Sequence, residues 1–169
     1  MFGNLKRSRI IALSAVFIAL IALGSWVSVP FFPVPLTLQT LFVLLAGAVM
    51  RRYAVIPVTL YILLGALGLP VFHNGIAGIG ILLGPTGGYL AGFIPAALIA
   101  GLAYEVSAAR VRVIGLAATT VIIYACGISW LMYSTDMGIV AALSMGMVPF
   151  LPGDLIKGSA AYLITKRLS

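Results

Sequence analysis

From Ile10 to Met50 the chain carries no Asp, Glu, Lys or Arg, and from Tyr53 to Tyr104 it again carries none. Uncharged apolar runs of this length belong in hydrocarbon. There every backbone N–H and C=O must be satisfied within the segment, which leaves helices or closed barrels. The runs are continuous rather than alternating, so helices are expected. A soluble domain has about a quarter of its residues charged; here 8% are charged and 63% hydrophobic. A helix crossing the bilayer core needs roughly 20 apolar residues, so 169 residues allow about six crossings. The expected fold class is an all-α membrane protein: six transmembrane helices in one domain over residues 1–169, with no room for a soluble one.

Breaks in the apolar runs place the helices at 10–29, 36–50, 53–69, 86–105 and 112–133, with the last beginning near Pro152. The glycines of PVFHNGIAGIGILLGP (70–85) argue for an irregular loop. Residues 137–148 are either a short separate helix or an early start of the last one. The N-terminal basic residues and apolar run imitate a secretory signal. The run is too long and lacks a convincing A-x-A site, so it is read as a retained first helix.

The net charge of +7 is distributed as topology signals rather than as a nucleic-acid patch. Lys6, Arg7 and Arg9, then Arg51 and Arg52, then Arg110 and Arg112, then Lys166 and Arg167 each sit at the end of an apolar run. With the N-terminus inside, all four clusters fall on the cytoplasmic side, and the outer connections near 30–35, 70–85 and 134–137 contain no Lys or Arg. The expected topology is N-in and C-in, in a multi-pass protein of the cell membrane. Nothing matches GxxxxGK[ST]. Cys126 stands alone, which excludes an internal disulfide, and His73 has no second metal ligand beside it. No metal site and no cofactor are expected.

One basic residue lies outside the rim. Lys157, in PFLPGDLIKG, follows Asp154 by one helical turn on the same face. Ionisable side chains within a membrane span usually face a bundle interior or a watery cavity and carry function. The plainer reading is an ion pair that merely cancels its own charge. The surroundings favour a ligand site. The helices expected at 36–50, at 86–105 and from Pro152 all run inward, so their N-termini converge on the outer half. Proline stands near each start: Pro35, Pro85 and Pro152. Helix N-termini offer partial positive charge and free N–H groups, suited to an anionic or acceptor-rich small molecule. Thr37, Gln39, Thr86, Tyr89 and Asn74 add polar side chains there. Capping or interfacial anchoring explains Thr37, Thr86 and Tyr89 equally well.

Gly84, Gly88, Gly92, Ala96 and Ala100 form a small-residue seam for close helix approach. It drifts about 40° per step around the axis. At its outer end Gly87 and Gly88 are candidates for leaving room for a ligand. Ala15 and Ala19 on the first helix suit internal packing or a smooth face for another membrane protein. Glu105 is expected to answer Arg110 or Arg112, and Asp136 to lie in an outer turn. Trp26, Tyr53, Tyr133 and Tyr162 fit interfacial belts.

Four stretches in this order, PVPLTLQTLFVLLAGA (33–48), GALGLPVF (65–72), GPTGGYLAGF (84–93) and PFLPGDLIKG (149–158), resemble the biotin-specific S component of energy-coupling-factor (ECF) vitamin transporters, the BioY family. The resemblance covers almost the whole chain. It departs at Arg51-Arg52, where a less basic, often glycine-containing turn is usual. It implies a non-enzymatic six-helix bundle that captures biotin from outside and docks on a transmembrane coupling protein bearing two cytoplasmic ATPases. An AxxxA docking motif would map to Ala15 and Ala19. Groups three residues apart on a helix lie only about 5–6 Å from each other, so Asp154 and Lys157 would address one end of biotin. Asp154 would accept from ureido N–H and Lys157 donate to the ureido carbonyl, with the carboxylate near Asn74 and Thr86–Tyr89. The alternative puts Lys157 on the carboxylate. Two other classes compete. In a proton-coupled carrier for a small anionic solute, Asp154 would be a relay, but no long inverted repeat is visible. An intramembrane two-aspartate hydrolase lacks its second membrane aspartate, and no GxSxG is present.

Overall fold

The computed structural model describes residues 2–168. Helix α1 (Phe2–Trp26) is followed by an antiparallel pair, β1 (Ser28–Val29) and β2 (Leu36–Thr37), which closes the proline-rich PFFPVP loop with Ser28 opposite Thr37. Next come α2 (Gln39–Met50), a 3-10 turn (Arg51–Ala54), α3 (Val55–Ala66) and the short α4 (Ile79–Leu83). The chain ends with α5 (Gly87–Glu105), α6 (Ala109–Thr135), α7 (Ile139–Gly146) and α8 (Leu151–Leu168). Residues 137–148 thus contain a separate short helix. It is broken from α8 at Met147, whose φ of −131° is not helical. The 70–85 loop is more regular than expected, with one turn of 3-10 helix at His73–Gly75 and α4 behind it. Pro85 and Pro152 stand at helix starts as expected. Pro35 does not, because α2 begins only at Gln39, beyond the β hairpin.

Five stretches are long and apolar enough to cross a membrane: Lys6–Trp26, Gln39–Ala66, Gly87–Glu105, Ala109–Thr135 and Ile139–Arg167. The second of them is not straight. Gln39 and Tyr61 are 22 residues apart, about 33 Å along a continuous helix, yet Gln39 Nε2 donates to Tyr61 Oη at 2.5 Å. The chain therefore doubles back between α2 and α3. The reversal is at Arg51, which takes a left-handed φ of 56°.

The basic clusters gather at one end of the bundle. Lys6 lies over the Tyr53 ring and Arg112 over the Tyr104 ring, while Tyr104 Oη and Thr165 Oγ1 are 2.9 Å apart. Glu105 belongs to this end, but not with the partner expected. It receives two bonds from Arg52, from Nε at 2.6 Å and Nη2 at 2.5 Å. Arg112 Nε instead donates to the Val106 carbonyl at 3.0 Å. The reason is glycine: a Cβ on Gly101 would stand 2.3 Å from the Arg51 carbonyl oxygen. The α2–α3 turn can therefore lie against the end of α5, closer to Glu105 than the start of α6 is.

The small-residue seam on α5 behaves as its drift implies. Cβ atoms on Gly88 and Gly92 would strike Cys126 and its neighbours on α6, whereas Ala100 sits against Gly47 on α2. One stripe thus serves two neighbours in succession. Around it the core is aromatic and aliphatic, with Ile21, Val43, Val58, Tyr61, Phe72 and Leu131 fully buried.

Candidate functional site

At the end of the bundle away from the basic clusters, the first turns of α2, α5 and α8 enclose a small cavity. Thr37, Gln39 and Thr40 come from β2 and α2, Thr86 and Tyr89 from the start of α5, Asp154 and Lys157 from α8, and His73 from the loop. Phe72, Phe93 and Phe150 supply flat apolar walls. The free volume is about 60 Å³, room for a few waters when one water needs about 10–15 Å³.

Asp154 and Lys157 touch, with Lys157 Nζ donating to Asp154 Oδ1 at 2.9 Å. Their side chains are only 12% and 13% exposed. They are not alone. Lys157 Nζ also donates to Thr40 Oγ1 at 3.0 Å, and Thr40 Oγ1 lies 3.4 Å from Asp154 Oδ1. Tyr124 Oη on α6 donates a short bond to the other carboxylate oxygen, Oδ2. Three helices thus hold one carboxylate, which also lies in the first turn of α8, where the helix dipole favours negative charge. An ammonium has three N–H donors, and two of those on Lys157 are used by protein acceptors. The arrangement leaves a donor and carboxylate lone pairs, side by side, for a solute that is both acceptor and donor.

The other expected residues divide. Gln39 lines the cavity but is also tied into the frame. Its Oε1 accepts from Thr37 at 3.1 Å, its Nε2 donates to Tyr61, and Tyr61 Oη donates to the Val71 carbonyl at 2.9 Å. Tyr89 presents its ring and commits its hydroxyl to the Gly146 carbonyl at 2.8 Å. Thr86 and Thr37 line the cavity. Thr86 makes no side-chain capping bond at the start of α5, whereas Thr37 Oγ1 accepts from the Gln39 backbone N–H at 3.4 Å, at the first residue of α2. Asn74 is exposed in the loop, its Oδ1 accepting from Ser28 Oγ at 2.7 Å, and it does not line the cavity. Gly87 and Gly88 leave no room for a solute. A Cβ on Gly87 would stand 1.8 Å from the Leu82 carbonyl oxygen, and one on Gly88 2.2 Å from Trp130 Cβ. Ala15 and Ala19 are exposed on α1, beside Ile11, Val16 and Leu23.

Three polar lining residues were not proposed as ligand contacts from the sequence: Thr40, Tyr124 and His73, the last considered only as a metal ligand. Thr40 follows Gln39 directly in TLQT. Tyr124 had a legible signal, a hydroxyl in the middle of an apolar span, far from either interface, where it needs a partner. Tyr124→Phe removes one donor from the Asp154 carboxylate and nothing else. A hydrogen bond to a charged group is worth about 1.5–3 kcal/mol, so ligand affinity is expected to fall about tenfold with little change in volume. Isothermal titration of the purified variant checks this.

His73 sits in the loop, and burial lowers its pKa from the usual 6.5. The neutral form is therefore favoured in the fold. As pH falls below the unfolded value the unfolded chain takes up a proton that the native one refuses, so stability declines. The thermal midpoint is expected to drop from pH 7 to pH 5.5, and His73→Gln to flatten that slope.

The fold and this site together define a class: a helical membrane protein with a small, partly polar cavity enclosed between the ends of its helices. Comparison with known proteins narrows it. The BioY family profile matches residues 3–169, and this chain belongs to the BioY family. It is 46% identical over 158 residues to the biotin transporter BioY of Thermotoga maritima, with 92% of each chain covered. It is 39% identical to the probable biotin transporter BioY of Pyrococcus horikoshii, covering 96% of this chain and 97% of that one. Among solved structures, the crystal structure of the S-component for biotin from an ECF-type ABC transporter superposes with a TM-score of 0.87. It is 27% identical and covers 98% of this chain and 93% of the other.

Proposed function

We propose that the protein captures biotin as the substrate-specific S component of an ECF-type ABC transporter in the cell membrane. The observation that carries this is the Asp154–Lys157 pair. It is held by Thr40 and Tyr124 at the wall of a cavity that Phe72, Phe93 and Phe150 also line. Biotin's ureido group has two N–H donors beside one carbonyl acceptor, which answers an adjacent carboxylate and ammonium. Its thioether ring and aliphatic tail suit Phe72, Phe93 and Phe150. His73 and Thr86, which also line the cavity, are the side chains proposed to meet the far carboxylate. The present volume is smaller than a bicyclic solute needs, so the wall formed by the 70–85 loop and Val34–Pro35 shifts as biotin enters.

Six crossings with both termini inside fit the molecule. The doubling back at Arg51 turns the stretch Gln39–Ala66 into two antiparallel helices. The gathering of Lys6, Arg52, Arg110, Arg112 and Lys166 at one end is what the positive-inside rule asks of the cytoplasmic face. The cavity then opens outward. Energy for release comes from a membrane coupling protein and its ATPases. The exposed Ala15–Ala19 face of α1 is the surface available for that docking. The chain itself performs no chemical conversion and needs no cofactor.

The test is uptake of labelled biotin in cells lacking their own biotin transport. Uptake is expected to need the coupling module, to be competed by desthiobiotin but not by thiamine, and to survive collapse of the proton gradient. Uptake that vanishes with the proton gradient while ATP is maintained would instead make Asp154 the relay of a proton-coupled carrier.

A further inference from the structure

A second and much larger hollow lies on the side of the bundle, a groove of about 860 Å³ between α6 and α8 with α7 at its outer end. On α6 it runs from Val113 to Ser129, about 24 Å at the helical rise of 1.5 Å per residue, more than one leaflet of hydrocarbon. Most of its lining is aliphatic, although Tyr124 and Asp154 of the first cavity also reach its wall, as do Ser159 and Tyr162. Thr120 and Ser129 bond carbonyls of their own helix, Leu116 at 3.3 Å and Ala125 at 2.7 Å.

The inner mouth of the groove is cationic. Val113 follows Arg112 and Arg110, and Leu163 precedes Lys166 and Arg167. The two helix ends meet through Tyr104, which lies under the Arg112 guanidinium and whose hydroxyl contacts Thr165. The chain has three Asp and Glu residues. Glu105 holds Arg52, Asp154 holds Lys157, and Asp136 follows the outer end of α6. No carboxylate side chain among the described residues answers these four cations.

From the apolar groove and the cations at its mouth that no described carboxylate side chain pairs with, we infer that an anionic phospholipid binds between α6 and α8. One acyl chain lies along the groove, and the phosphate meets Arg112, Lys166 and their basic neighbours. Basic pockets between helix ends at the cytoplasmic face are suited to such head groups. A second copy of the chain fits less well, because at a net charge of +7 it brings like charge to a cationic mouth.

The test is native mass spectrometry of the full chain, purified in detergent and offered equal amounts of phosphatidylglycerol and phosphatidylcholine with identical acyl chains. Phosphatidylglycerol is expected to be retained at least about threefold over phosphatidylcholine. Arg112→Gln with Lys166→Gln should abolish that preference. Ala117→Phe, on the groove wall and away from the biotin cavity, should cut retention by a similar factor with every charge in place. Ser159→Phe on the facing wall repeats the test should Ala117→Phe fold poorly. Equal retention of the two lipids would overturn the inference, as would a preference untouched by both groove-filling variants. Cross-linking of two copies through α6 and α8 would assign the groove to self-association instead.

Discussion

Asp154→Asn lowers the affinity for biotin by at least about tenfold, the loss expected when a hydrogen bond to a charged group is forfeited. The substitution keeps the shape and changes only what each atom can do. Oδ1 of Asp154 accepts from Lys157 and Thr40, and Oδ2 accepts from Tyr124. An asparagine has one accepting oxygen, so whichever way its amide turns, its NH2 group faces a donor. Lys157 is also left without its counter-charge in a site where it is 13% exposed. Losing one partner of a buried pair costs several kcal/mol, so a lowered thermal midpoint is expected alongside the loss of binding. The double variant Asp154→Asn, Lys157→Met separates the two effects. Replacing both members of a buried pair is often neutral for stability, so the midpoint recovers. Biotin binding does not, because donor and acceptor are both gone. If the double variant binds biotin as the wild type does, the pair only cancels itself.

The second large effect is at Gly88. A side chain there would place Cβ 2.5 Å from the Cys126 carbonyl oxygen and 2.2 Å from Trp130 Cβ, so relief requires α5 and α6 to part. That pairing is the most extensive in the bundle. Gly88→Val is expected to destabilise by about 1–3 kcal/mol, as overpacking does, lowering the thermal midpoint by several degrees and reducing yield. Gly158→Ala is the control. Its Cβ meets nothing within 4 Å, and an added methyl at an unstrained helical position is neutral or mildly stabilising. Differential scanning fluorimetry in detergent measures both. Were Gly88 a source of room for the ligand, Gly88→Ala would abolish biotin binding and leave the midpoint unchanged.

How far residues alone lead is clear from these two positions. Asp154 and Lys157 stand out because charge in an apolar chain is costly, and one-turn spacing puts them on one face. Gly88 stood out equally, yet a small residue signals close approach without saying of what. The drift of the seam said only that it is not one straight face; its outer half, offered as room for a ligand, packs instead on α6. Glu105 was misjudged because sequence distance favours Arg110 and Arg112. Its actual partner, Arg52, is brought near by a packing detail at Gly101. Tyr124 and Thr40 were invisible as partners of Asp154, since no local pattern relates residues 30 and 114 positions apart. The helices themselves were legible from uncharged runs, except where backbone geometry decides: the early start of α1, the break at Met147, and the regular turns hidden among the loop glycines.

Calorimetric titration of the detergent-solubilised chain with biotin, in the absence of ATP and of any partner, bears most directly on the central claim. One biotin per chain should bind, desthiobiotin should compete, and the Asp154→Asn, Lys157→Met variant should give no binding heat. A well-folded wild-type protein that releases no heat with biotin, or a double variant that titrates like the wild type, would contradict it.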